Sequence, residues 1–357
     1  MFEKRVYFVG LRYNHHAKHS GYEAFGRYVG TALQPPVDFR WTLGKYGWPL
    51  SEHFARLTGH PWYSIGAHIT EWSALKHMLL RKRCLFHILY ADNDLWLLRR
   101  ANKLTGNRLV ASFHQPASDL RALDIIKRVT KNLDAVILVS QTQRAYFEEF
   151  LPPDRIFVVH HGVDTDFFRP AAETSDTPVC ITVGSHLRDF ETLRQAIRIV
   201  WDSNPRMRFI AVGTRSDKKS YFPELDDERI QFLDRISDDQ LRRVYQGAKV
   251  AIFSFKEATA NNAMLEAMAS GLPAVATNTG GIGEYINDGA GFLCPPQDPH
   301  AMAAATLRLL DDSDLQRTMS RASRRRALRL DYRLMAAKMC EIYSRLLVPS
   351  EQLQFNG

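Results

Sequence analysis

What most constrains this chain is an alternation that runs, stops and starts again. In the first half, short apolar runs at Val6–Gly10, Leu85–Tyr90, Leu109–His114, Ala135–Ser140 and Ile156–Val159 read as strands. Between them lie amphipathic stretches at Tyr22–Leu33, Thr70–Arg81, Asp94–Leu104, Ala117–Lys131 and Gln141–Phe150 that read as helices. Residues 35–65, with Pro35, Pro36, Pro49 and Pro61, fit neither pattern. The alternation then breaks at RPAAETSDTP, residues 169–178, a polar, proline-flanked stretch of the kind that joins domains. It restarts with strands near Val179–Gly184, Arg208–Gly213, Ile230–Leu233, Val250–Ser254, Ala274–Thr277 and Gly291–Cys294. Helices are expected near Phe190–Trp201, Asp238–Gln246, Asn262–Ser270, Pro299–Leu310 and Leu315–Ala327, with a last one at Tyr332–Leu347.

Alternation on this scale predicts parallel sheets covered by helices on both faces. The expected fold class is therefore α/β, with two facing Rossmann-like domains. Residues 1–168 and 169–330 form the two domains, and residues 331–357 form a helix crossing back to the first. Ligands of open α/β sheets bind beyond the carboxyl ends of the strands, so the active site is expected in the cleft between the domains. A length of 357 residues suits two domains, and 45% hydrophobic with 24% charged residues is ordinary globular composition. No apolar run reaches the length of a membrane span, and MFEKRVYFVG reads as a first strand rather than a leader. The scattered cysteines, Cys84, Cys180, Cys294 and Cys340, form no CxxC pair and fit a reducing, cytoplasmic setting.

The net charge of +8 fits attraction to an anionic substrate. Its cations cluster at Lys76, Arg81, Lys82 and Arg83, at Arg121, Lys127, Arg128 and Lys131, and in a helical stretch from Arg317 to Arg333. No nucleic-acid motif accompanies them, so nucleic acid is not an expected partner. Peripheral contact with an anionic membrane is the alternative to a merely solvated face.

One stretch carries more chemistry than the rest: KEATANNAMLEAMASGLPAVATNTGGIG, residues 256–283. Asn261 and Asn262 stand where a helix should begin, Gly271 where it should end, and Pro273 precedes a short strand. A helix start offers unpaired N–H groups and a positive dipole end, which suit phosphate. Glu266, on the same helix, suits a sugar hydroxyl. The stripe Ala263, Met264, Ala267 and Met268 equally describes a capped core helix.

Three stretches in order then resemble the retaining nucleotide-sugar-dependent glycosyltransferases of the GT-B fold, in particular the fourth family, the group 1 glycosyl transferases. VVHHGVDTDFFRP (158–170) is similar to that family's interdomain junction, and VGSHLRDFETLRQAI (183–197) to the first strand–loop–helix of its donor domain. ANNAMLEAMASGLPAVATNTGG (260–281) is similar to its donor-site helix and loop. The likeness covers most of residues 135–310. It implies metal-independent transfer from a nucleoside-diphosphate sugar with retained configuration, to a glycan or lipid-linked acceptor, and no further cofactor. Glu266 matches the acid that contacts the donor ribose. Arg188 is the candidate for the diphosphate, where a guanidinium fork can hold two oxygens; pairing with Asp189 is the alternative. Asn261, Asn262 and Ala263 complete the donor set.

The chain departs from the pattern in two places. One is the family's arginine and lysine pair after the first donor-domain strand, which is compressed here and leaves Arg188, with Lys256 as the other candidate. Many members carry a glutamate eight positions before the ribose acid; here that place holds Ala258, and Glu257 or Asn261 is expected to serve instead. His114, ending a strand in SFHQP, falls where the family places a histidine near the sugar, so His114 and Glu257 are the catalytic candidates. In HSGYEAFGRYVG (19–30), Gly21 either lets backbone approach a phosphate or acceptor, or follows a Ser20 that forms a capping box with Glu23. Of two DxD patterns, Asp92–Asp94 reads as a helix cap and Asp164–Asp166 as part of the junction; neither is assigned a metal. The expected setting is the cytoplasm, at the inner face of the cell membrane, in polysaccharide or glycolipid synthesis. A nucleotide-sugar epimerase of the same fold and a non-catalytic nucleotide-sugar-binding protein are the competing readings.

Overall fold

The computed structural model describes residues 5–10, 18–29, 47–172, 177–213 and 227–347. By contacts the chain divides into two compact units. One holds the described residues of Met1–His16, Tyr22–His160 and Arg333–Gly357, the other those of Ala17–Gly21 and His161–Tyr332. The expected border at 168/169 thus differs from the contact border. Residues 161–168 pack with the second unit because Val163 N–H donates to Leu330 and Phe168 is fully buried in that unit's core.

In the first unit, five described strands lie parallel in chain order: β1 (Val6–Val9), β2 (Leu85–Ile88), β3 (Arg108–Phe113), β4 (Ala135–Leu138) and β5 (Ile156–Val158). The connecting helices are α1 (Gly47–Thr58), α2 (Ile65–Leu80), α3 (Ala91–Asp94), α4 (Leu98–Thr105), α5 (Ala117–Arg121), α6 (Ile125–Thr130) and α7 (Arg144–Glu148). One face of the sheet, including Tyr7, Phe86, Ile88, Ala111, Phe113 and Leu138, forms a core with these helices. The other face carries Phe8 and His87 against Phe25 and Tyr343, the latter from the last helix, Tyr332–Leu347. Tyr22–Tyr28 is a 3-10 helix, and the expected helix at Ala117–Lys131 is split into α5 and α6. The unplaced stretch 35–65 contains α1; its residues 35–46, and 30–33 of the expected first helix, lie outside the described residues.

The second unit has β6 (Val179–Val183), α8 (Phe190–Ser203), β7 (Arg208–Val212), β8 (Ile230–Leu233), α9 (Asp238–Gln246) and β9 (Val250–Phe253). It continues with α10 (Asn262–Ala269), β10 (Ala274–Thr277), α11 (Ile282–Tyr285), β11 (Gly291–Cys294), α12 (Pro299–Asp311) and α13 (Ser313–Leu328). Its strand order is β11-β10-β9-β6-β7-β8, all parallel, with apolar cores on both faces. Chain order runs outward in opposite directions from β6 and β9, so the crevice beyond these two strands is a topological switch point. The loops leaving it are residues 184–189 and 254–261, which carry Arg188, Glu257 and Asn261.

Candidate donor site and the His114 edge

The helix that the sequence marks is built by its ends. Asn261 is the N-cap of α10, its Oδ1 accepting from Met264 N–H at 3.0 Å. Gly271, at φ +81°, closes the far end against Pro170 and Ser320, where a Cβ would be crowded. Between them, Glu266 is 4% exposed. Its Oε1 accepts the hydroxyl of Ser20, and its Oε2 accepts the phenol of Tyr245 at 3.0 Å. Burial raises its pKa to about 7, against the lowering effect of the two hydroxyls.

Arg188 occupies the start of the same helix. The residue before it, Leu187, sits at φ +53°, a turn that sends the next side chain inward, and Arg188 is 5% exposed. Its Nη2 donates to Val183 O at 2.7 Å and to Asn261 Oδ1 at 3.3 Å. The guanidinium carbon lies 4.3 Å from the Phe255 ring centroid and 5.3 Å from that of Phe253. Nε and Nη1 are buried with no hydrogen-bond partner among the described residues. Burial pulls its pKa down to about 9, still well above neutral, so a charge with two open donors is held at the helix start. Asp189, the alternative partner, instead caps α8 through Thr192 N–H at 3.1 Å.

Glu257 is half-buried on the neighbouring turn. Its Oε1 accepts from Ala258 N–H at 3.2 Å and from the Thr279 hydroxyl at 3.5 Å. Gly280 lies against it: a Cβ there would be 2.0 Å from Ala258 O and 2.5 Å from Glu257 Oε1, so the paired glycines let the two loops touch. Asn262 opens α10, and the carbonyl of Ala263 accepts the Tyr245 phenol at 3.1 Å.

Residues 18–21 belong to this unit. His19 Nδ1 is 2.7 Å from Asp164 Oδ2, and its ring stacks on Phe167 at 3.7 Å. Gly21, at φ +103°, presents its carbonyl to the Tyr332 phenol at 2.9 Å. The capping box expected from Ser20 and Glu23 is not what forms. Ser20 donates to Glu266, and Glu23 accepts the Tyr90 phenol at 2.6 Å. Sequence reasoning missed Tyr245, which nothing in QLRRVYQ singles out, and assigned Ser20 only a local partner.

In the first unit His114 follows β3, half-buried at the sheet's carboxyl edge. Its Nε2 lies 2.8 Å from Leu89 O; a carbonyl only accepts, so Nε2 carries the proton and Nδ1 is the basic nitrogen of the neutral ring. The rings of Tyr22 and Tyr90 pack against it at 4.4 and 5.0 Å. Asp92, 1% exposed, accepts from His114 N–H at 2.9 Å and Gln115 N–H at 3.2 Å, while Gln143 Nε2 donates to the carbonyls of Phe113 and Gln115. Asp92 therefore fixes the turn that carries His114, where the sequence suggested a helix cap. Burial raises its pKa to about 6, with the N–H bonds opposing.

Comparison with known proteins bears on the family and the fold. A family model described as glycosyltransferase family 4 matches residues 39–167, and one described as glycosyl transferases group 1 matches residues 177–312. The D-inositol 3-phosphate glycosyltransferase of Corynebacterium glutamicum (strain R) is 32% identical over 219 residues, covering 54% of this chain and 52% of that protein. Its counterpart from Corynebacterium diphtheriae is 30% identical over 282 residues, covering 70% and 66%. The chain thus spans about half to two thirds of the length of these relatives. The crystal structure of Anabaena Alr3699/HepE in complex with UDP-glucose matches with a TM-score of 0.70 at 16% identity, over 96% of this chain and 100% of that one. That likeness speaks for the fold, two parallel-sheet α/β units of GT-B type. The chain belongs to the group 1, family 4 glycosyltransferases.

Proposed function

We propose that the protein transfers a sugar, with retained anomeric configuration and without a metal, from a nucleoside-diphosphate donor to a glycan or lipid-linked acceptor in polysaccharide or glycolipid synthesis. The observation that carries the reading is a buried cation with two unpartnered donors set against the N-cap of one helix, and a hydroxyl-binding carboxylate further along that helix. Arg188 offers Nε and Nη1, and α10 offers its first N–H groups, to the diphosphate. These preorganised charges stabilise the diphosphate as the glycosidic bond breaks. Glu266 takes the ribose hydroxyls by exchanging them for Ser20 and Tyr245. Glu257 and Asn261 are assigned to the sugar end of the donor, Asn262 and Ala263 to the backbone cradle, Gly21 to the close approach of its loop, and His114 to the transferred sugar. A cytoplasmic setting with peripheral membrane contact fits a lipid-linked acceptor.

The test is a thermal-shift screen of nucleoside diphosphates and their sugars, followed by measurement of diphosphate release with and without acceptors and in the presence of EDTA. Stabilisation by a donor, acceptor-dependent release and turnover unaffected by EDTA are the expected results. Conversion of donor alone points to an epimerase, and binding without turnover across the panel points to a non-catalytic binding protein. Loss of turnover in EDTA removes metal independence.

A further inference from the structure

Two helix ends of the first unit project apolar side chains into solvent. Leu79 and Leu80 close α2 at 57% and 85% exposure, and Leu104, in the last turn of α4, is 85% exposed. Asn107 ties these ends together: its Nδ2 donates to Met78 O at 2.8 Å and to Arg81 O at 2.9 Å, and its Oδ1 accepts from Cys84 N–H at 3.0 Å. Trp72, two turns back on α2, is 53% exposed. Around the leucines stand Lys76, Arg81, Lys82, Arg83, Arg100 and Lys103, all exposed. From Trp72 to Lys103 the acidic residues are Asp92 and Asp94, each 1% exposed. Just before this stretch, Glu71 is fully buried and held by the N–H groups of Trp96, Leu97 and Leu98. Every exposed ionised side chain between Trp72 and Lys103 is therefore a cation.

We propose that this leucine tip with its ring of cations docks the first unit on an anionic lipid bilayer. Cations alone would suit any polyanion, but a nucleic acid gains nothing from leucines, whereas a bilayer interface takes up both. Among the described residues no helix is long and apolar enough to cross a membrane, so the contact is interfacial. The tip lies where α2 and α4 turn into β2 and β3, at the amino edge of the sheet. His114 follows the opposite end of β3, about 20 Å away at ~3.3 Å per residue. Docking thus anchors the unit by the edge away from His114; it gives a surface to the peripheral membrane contact of the proposed function and rests on that part of the reading.

Co-sedimentation of the full chain with vesicles of phosphatidylcholine, with or without phosphatidylglycerol, tests the proposal. Binding is expected only to the mixed vesicles. Lys82→Glu/Lys103→Glu should weaken it by about fivefold or more per cation, and Leu80→Ser/Leu104→Ser by about tenfold or more. Both variants should keep the wild-type melting temperature and response to nucleoside diphosphate. Should a variant fold poorly, quenching of Trp72 by brominated lipid in the wild type, reduced in Trp72→Phe, supplies the same answer. Failure of the wild type to bind mixed vesicles overturns the proposal. So does wild-type binding by the leucine variant, and displacement by an oligonucleotide would then mark the face as a general polyanion surface.

Discussion

Glu266 and Asp92 make an instructive pair. Each is a buried carboxylate on a helix of a parallel-sheet unit, and burial raises the pKa of both, to about 7 and about 6. Their partners differ in kind. Glu266 is held by hydroxyls from Ser20 and Tyr245, groups that a sugar hydroxyl can replace one for one. Asp92 is held by the backbone N–H groups of His114 and Gln115, which no ligand can displace without undoing the turn. On the proposed reading the same chemical group serves ligand exchange in one unit, while in the other it fixes a neighbour's geometry.

The sharpest way to break the comparison is to remove each carboxylate. Glu266→Ala should weaken donor binding by about tenfold to a hundredfold, as for loss of hydrogen bonds to a charged group, read by calorimetry with the donor. Unchanged affinity would end the assignment. Asp92→Ala should leave donor affinity alone and lower kcat by about tenfold through a loosened His114 turn, with Asp92→Asn recovering part of it. A matching drop in donor affinity would place Asp92 in the donor site instead.

Protonation separates the pair further. Glu266's folded pKa lies above its unfolded value of 4.5, so its contribution to stability is complete below about pH 4.5 and is lost as pH rises through about 7. Between those limits the difference in unfolding free energy between wild type and Glu266→Gln should slope by up to about 1.4 kcal/mol per pH unit. Asp92 titrates in both proteins and cancels in the difference. A flat difference would mean that Glu266 is not buried as a carboxylate. The smallest effect concerns Ser20: Ser20→Ala removes a competing hydroxyl and should tighten donor binding by a few-fold, whereas weaker binding would make Ser20 part of the donor's own contacts.

Much of the second unit was legible in the sequence. Asn261, Gly271 and Pro273 mark the ends of a helix by backbone rules that act over four or five residues, and α9, β8, β10 and β11 carry their expected bounds. The paired glycines at 280 and 281 announced a close approach, though not that Ala258 and Glu257 are what they approach. The first unit was less readable. Its helices at 117–131 and 141–150 are broken into short turns, and Asp92's partners are 22 and 23 residues away, beyond the reach of any capping rule.

By itself the sequence determined the alternation of strand and helix and the capped helix with Glu266, because local backbone preference and hydrophobic period are written in neighbouring residues; the candidacy of Arg188 and His114 came from the resemblance to a family. Only the tertiary structure decided that Arg188 is buried with two open donors, that Ser20 and Tyr245 meet on Glu266, and that Asp92 holds His114. Those facts depend on residues 21 to 246 positions apart, which the sheet order brings together through burial and not through any local signal.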